Sequence, residues 1–205
     1  LPNGVDFPAI RRILHFEGHN GPDAIKRKSP AQDEPWHYFN PFDDDDSLLV
    51  DLIRAHYDRL VGSLAEGDDV VAAFEAAWLA HAVVDGLTPA HHYPYEEKLD
   101  ELRGGLGKET RVTIKQKLLL PGETKRQAVS NNWKMWGPKG LFTTHYAFEW
   151  GVSTILLTMP LSRNTLPSGA RLIDMQRQPL EQFFRLTAKE IAALGLYDRF
   201  YKTGW

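Results

Sequence analysis

Ala77-Trp78-Leu79-Ala80-His81-Ala82-Val83-Val84-Asp85 is the stretch on which the fold turns. It closes a run from Val70 that is rich in Ala, Val, Phe and Trp, capped by Asp68 or Asp69 and followed by Pro89. Such a run predicts a helix from Val70 to about Asp85, apolar on nearly every side, and therefore the buried central helix of the domain. His81 and Asp85 stand at i and i+4, one turn apart on one face, so both can reach a single ion. An unpaired carboxylate in that setting would be expensive, and a metal removes the cost.

Working toward the N-terminus, Leu48, Leu49, Leu52, Ile53, Tyr57, Leu60, Val61 and Leu64 recur at helical spacing. They predict a helix to about Ala65, ended by Gly67 and started at Ser47, with the acidic run Asp43 to Asp46 at the positive end of its dipole. That run lacks the alternating spacing of a calcium loop, so capping is its expected role. His56 is expected on the surface of this helix. The first 45 residues otherwise read as loops, with one short helix near Ala9 to His15.

Toward the C-terminus, Gly104, Gly105, Gly107, Pro121, Gly122, Gly137 and Pro138 punctuate residues 92–140 into short helical or extended pieces. Ten Lys or Arg stand there against six Asp or Glu, making it the one basic region, read as a long irregular insertion with mobile parts. Two further helices are expected, about Leu141 to Leu157 and about Leu172 to Leu194. The whole is a single all-α domain over residues 1–205.

Composition narrows the function. The 205 residues are 42% hydrophobic, enough for a real core. A net charge of -3 gives no general case for nucleic-acid or anionic-membrane binding. The absence of cysteine removes disulfides, thiolate zinc sites and a cysteine nucleophile. No stretch is expected to span a membrane, the longest candidate lying near Val152 to Leu161 and containing Pro160. The chain opens on Leu1 without an initiator Met, which reads as a processed or trimmed product.

A second pair repeats the first. Thr144-His145-Tyr146-Ala147-Phe148-Glu149 again sets an imidazole and a carboxylate four apart, and beyond Pro89 come His91 and His92. Either of these two can be a ligand, with spacing favouring His91. Imidazole and carboxylate ligands without sulfur are typical of catalytic rather than structural zinc sites. His15 and His19 share the spacing, but Gly18 and Gly21 disfavour a continuous helix there.

These residues resemble the zinc-dependent phospholipase C family, related in fold to fungal zinc nucleases that cut single strands. The family pattern is matched by His81, Asp85, Pro89, His91, His145 and Glu149. Gly21-Pro22-Asp23 and Trp36-His37-Tyr38-Phe39-Asn40-Pro41 are similar to its earlier Asp and its His in an aromatic context, with Asp33 a rival to Asp23. The likeness covers about Gly21 to His91 and Leu141 to Arg177. It implies a compact multi-helix domain in which Asp23, His37, His81 and Asp85 hold one zinc and His91, His145 and Glu149 another. In the family the central Asp also bridges to a third zinc, held by the amino group of an N-terminal Trp and a following His. This chain begins with Leu1 and has no His at a matching distance before Asp23.

The implied activity is hydrolysis of a phosphodiester, a phospholipid head group first and a single-stranded nucleic acid second. Zinc would clamp the phosphate and lower the pKa of an attacking water, with Asp85 anchoring the ions and Asp23 positioning or deprotonating the nucleophile. Lipid cleavage implies an apolar rim and peripheral membrane contact; nuclease action implies aromatic stacking plus bases such as Lys115, Lys117, Lys125, Arg126 and Lys134. A secreted or extracytoplasmic location follows from the resemblance. The rival from another class is a metal-stabilised binding or structural module without turnover.

Overall fold

The computed structural model describes residues 6–17, 21–22, 37–159 and 168–203. Among them the chain is helical, with no strand. The order is α1 (Ile10–His15), α2 (Leu48–Glu66), α3 (Asp69–Leu87), a 3-10 turn (Pro89–His92), α4 (Tyr95–Leu102), α5 (Ile114–Leu118), α6 (Lys125–Trp136), α7 (Leu141–Thr158), α8 (Gly169–Arg177), α9 (Leu180–Ala193) and α10 (Leu196–Thr203).

The expected helices fall within two residues of their expected ends over α2, α3 and α7. Asp68 is the cap of α3, its side chain accepting from the amides of Val70 and Val71. Gly67 ends α2 in the left-handed region at φ 74, a conformation costly for residues with a Cβ. The C-terminal helix expected near 172–194 is instead two, α8 and α9, because Pro179 can begin a helix but not continue one. The acidic run also departs from expectation. Ser47 makes no capping hydrogen bond through its side chain; its hydroxyl donates to Asp51, 2.7 Å away. Lys189 of α9 reaches Asp44 at 3.0 Å and Arg185 donates to the Asp46 carbonyl at 2.8 Å, so the run ties α9 to the start of α2.

Helix α3 is the centre of the bundle, packed on α2 and touched by α1 and α9. By length and composition its nineteen residues could cross a bilayer, against the expectation of no such stretch. Here it is the core helix of the bundle, and it carries Glu75, His81 and Asp85. Its apolar face meets Leu49, Val50 and Ile53 of α2 and Phe184 and Ala188 of α9 through Ala82. At its other end Ala72 and Ala76 pack against Leu60 and Leu64. Burial of each large aliphatic or aromatic side chain is worth about 1.5–3 kcal/mol, so these clusters fix where the polar residues of α3 stand.

Residues 92–140 carry α4, α5 and α6. Tyr95, Leu99, Leu120 and Met135 bury against Leu141 at the start of α7. Polar side chains satisfy the irregular backbone between them. Arg103, 5% exposed, donates to the carbonyls of Leu106 and Gln116 and to the Thr110 hydroxyl. Asn132 both accepts from the Leu120 amide and donates to its carbonyl. The basic region is thus a helical wall packed against α7.

Candidate metal centre

Two elements meet at Asp85. It stands near the C-terminal end of α3, His81 one turn before it, and His37 on the loop that leads to α2. That loop is pinned to the turn after α3 by a hydrogen bond from the Phe39 amide to the His91 carbonyl, 3.0 Å. His37 Nδ1 lies 2.5 Å from Asp85 Oδ2, and His81 Nε2 lies 3.1 Å from the same oxygen. Next to this group stands a second. His91 Nε2 is 2.9 Å from Glu149 Oε1, and His145 Nε2, one turn before Glu149 on α7, is 3.1 Å from it. The imidazoles of His91 and His145 are stacked, centroids 5.0 Å apart and planes within 6°.

Within each group, His37 with His81 and Asp85, and His91 with His145 and Glu149, one ligand atom per residue lies within 4.8 Å of the others. Two ligands bound at about 2.1 Å with tetrahedral angles stand roughly 3.4 Å apart, so small side-chain adjustments let each group close on one ion. Burial sharpens the point. His37, His91 and His145 are all under a tenth exposed, and the Asp85 side chain is only 15% exposed. The buried Nδ1 of His91 has no hydrogen-bond partner among the described residues. Buried nitrogens converging on a carboxylate without sulfur are a donor set that suits a divalent ion such as zinc.

Electrostatics follow from the same arrangement. Burial alone would raise the pKa of Asp85, yet hydrogen bonding from His37 and His81 and the charge of His91 hold it well below the usual carboxylate range. Burial likewise opposes ionisation of Glu149, but His145 and His91 bring it down to about 2. For His81 burial disfavours the charged ring, while Asp85 and Glu17 outweigh it and raise its pKa to about 9. Both carboxylates are therefore ionised across the neutral range, as metal ligands must be.

Six of the seven residues proposed from the sequence come together here; the seventh, Asp23, lies outside the described residues, as do His19, Asp33 and Trp36. His91, not His92, faces the centre. His92 turns the other way, its Nε2 2.8 Å from the Gly86 carbonyl, and burial lowers its pKa. His56, expected on the surface, is 3% exposed. Its Nδ1 is 2.5 Å from Glu75, which also accepts from Arg59 at 2.9 Å, so it belongs to a hydrogen-bonded network between α2 and α3, and burial lowers its pKa. Sequence reasoning missed Glu17, whose Oε1 lies 2.7 Å from His81 Nδ1, because its loop position gives no periodic signal.

Both groups open into a cleft of about 660 Å³. Its far walls come from the 92–140 region and α7, with Tyr95, Leu99, Met135, Trp136 and Phe142 the main apolar surfaces. Tyr38 stacks on Tyr95 at 5.1 Å and contacts His91 at 5.3 Å, joining wall to floor. Two cations line it, Lys117 and Arg111; Arg111 pairs with Glu96 at 2.6 Å. No family model, curated protein or solved structure matches this chain.

Proposed function

We propose that this chain is a zinc-dependent phosphoesterase that hydrolyses a phosphodiester, with a phospholipid head group as substrate. The observation that carries the reading is the pair of adjacent buried histidine–carboxylate groups at the floor of one cleft. His37, His81 and Asp85 would hold one ion, with Asp23 a further ligand by resemblance, and His91, His145 and Glu149 a second. Zinc bound there supplies Lewis-acid charge for a phosphoryl group and acidifies a water molecule.

The protein's own residues do the rest. Asp85 holds His37 and His81 in place from one oxygen, and Glu149 does the same for His91 and His145. The cleft volume falls in the range of small-molecule sites, and its aromatic and aliphatic walls suit the apolar part of an amphiphile. Nuclease action is the less favoured reading. Of the insertion bases weighed for it, only Lys117 lines the cleft, and the other lining cation, Arg111, is charge-compensated by Glu96. A polyanion requires an uncompensated basic track.

The test is metal analysis of the purified protein followed by assays on a short-chain phosphatidylcholine and on single-stranded DNA, before and after chelation and zinc return. Two zinc ions per chain with zinc-restorable lipid hydrolysis is the expected result. Hydrolysis untouched by chelation rejects metal catalysis. Bound zinc without turnover of either substrate points to the binding-module alternative.

A further inference from the structure

The His81 ring is gripped from both sides. Its Nε2 faces Asp85 at 3.1 Å, inside the first ligand group, and its Nδ1 faces Glu17 Oε1 at 2.7 Å. The two nitrogens of an imidazole point away from each other, so Glu17 stands behind the ring and outside the ligand group, which does not include it.

Glu17 is held there by α1. Ile13 packs against the Leu60, Leu64, Ala72 and Ala76 cluster, Arg12 pairs with Asp69, and Phe16 sits edge-on to Phe74 at 5.6 Å. These contacts follow α3 toward its C-terminal end, and Glu17 comes next, over His81. The short helix contributes no buried residue of its own. Its contacts make it a bracket for Glu17, which follows two residues beyond its end.

We propose that Glu17 is a positioning residue for His81: it accepts the Nδ1–H, fixes the tautomer whose Nε2 lone pair faces Asp85, and thereby strengthens metal binding at the first group. A neutral imidazole has one N–H and one lone pair, and the hydrogen bond on one nitrogen selects which is offered to the ion. Removal of such a partner typically costs 10–100-fold in metal affinity. The inference rests on the metal reading of the preceding subsection, and its test separates the two.

Glu17→Ala, Glu17→Gln and the unaltered protein are titrated with zinc against a chromophoric chelator, with circular dichroism confirming the helical fold. The unaltered protein is expected to bind two ions. Glu17→Ala weakens one of them by about 10–100-fold and leaves the other unchanged. Glu17→Gln, whose amide oxygen can still accept, recovers most of the loss. Nitrogen chemical shifts of the His81 ring in the metal-free protein, read at alkaline pH where the ring is neutral, give an independent readout, expected to lose their Nδ1–H signature in Glu17→Ala. Two ions bound with unchanged affinity in Glu17→Ala overturns the inference, and so does equal weakening of both, which marks a general loss of structure. No zinc binding by the unaltered protein overturns the metal reading, and the positioning role with it.

Discussion

Asp85 Oδ2 lies 3.7 Å from His91 Nδ1, so the carboxylate of one ligand group faces the outer edge of an imidazole that belongs to the other. That distance is too long for a hydrogen bond, and a small ring rotation closes it. Asp85 already serves His37 and His81 through the same oxygen. The two groups thus share a wall, and ions held in them would load as neighbours rather than independently.

Asp85→Asn is expected to abolish tight binding at the first group and to weaken the second by a smaller factor, whereas Glu149→Gln lowers mainly the second. Zinc counts after equilibrium dialysis at graded free zinc check this. Equal, independent behaviour of the two ions in Asp85→Asn would contradict the shared wall.

His91→Ala and His92→Ala separate two adjacent residues of one type. Loss of His91 removes the ring that meets Glu149, so one ion is expected to be lost along with hydrolysis. His92 contacts the Gly86 carbonyl instead, and its loss should leave zinc content unchanged while costing on the order of 1 kcal/mol of stability. Zinc content of the two purified variants decides between them.

Zinc uptake near neutral pH is expected to release protons. In the metal-free protein His81 has its pKa raised to about 9, because Asp85 and Glu17 overcome the penalty of burial, so it is protonated at pH 7. A metal ligand must be deprotonated, and binding at the first group displaces about one proton there. Apparent affinity should climb with pH until about 9 and then level off. The sign for metal-free stability is the reverse. The folded pKa lies above the unfolded value, so the contribution of His81 is full below about pH 6.5 and is lost as pH rises through about 9. Titration calorimetry in buffers of different ionisation heat measures the protons, and denaturation of the chelated protein across that range measures the stability.

Gly86 follows Asp85 directly and sits where α3 meets α2 and α9. A Cβ there would lie 2.5 Å from Phe184 Cζ and 2.6 Å from Leu49 Cδ2. Gly86→Ala is therefore expected to destabilise the fold by about 1–3 kcal/mol through overpacking, despite the higher helix propensity of alanine. Urea unfolding reads this out. A gain in stability would mean that the aromatic ring has room to move.

Much of this was legible in one dimension because the ligand pairs obey helical geometry. His81 with Asp85 and His145 with Glu149 are spaced by one turn, so their side chains meet wherever those helices lie. The apolar composition of α3 likewise marked it as the core. His56 was misread as surface because its polarity conceals a partner nineteen positions away, Glu75, which only the α2–α3 packing supplies. The 92–140 region gave no clear period because side chains such as Arg103 and Asn132, rather than regular ladders, satisfy its backbone.

By itself, then, the order of residues determined the helices and the two i, i+4 ligand pairs, since both follow from bonds and turns within one short segment. Tertiary structure decided that His37 meets Asp85 across 48 positions, that His91 rather than His92 points inward, and that Glu17 stands behind His81 across 64. Those choices depend on how separate helices pack, and packing is set by the summed burial of many apolar side chains rather than by any local spacing.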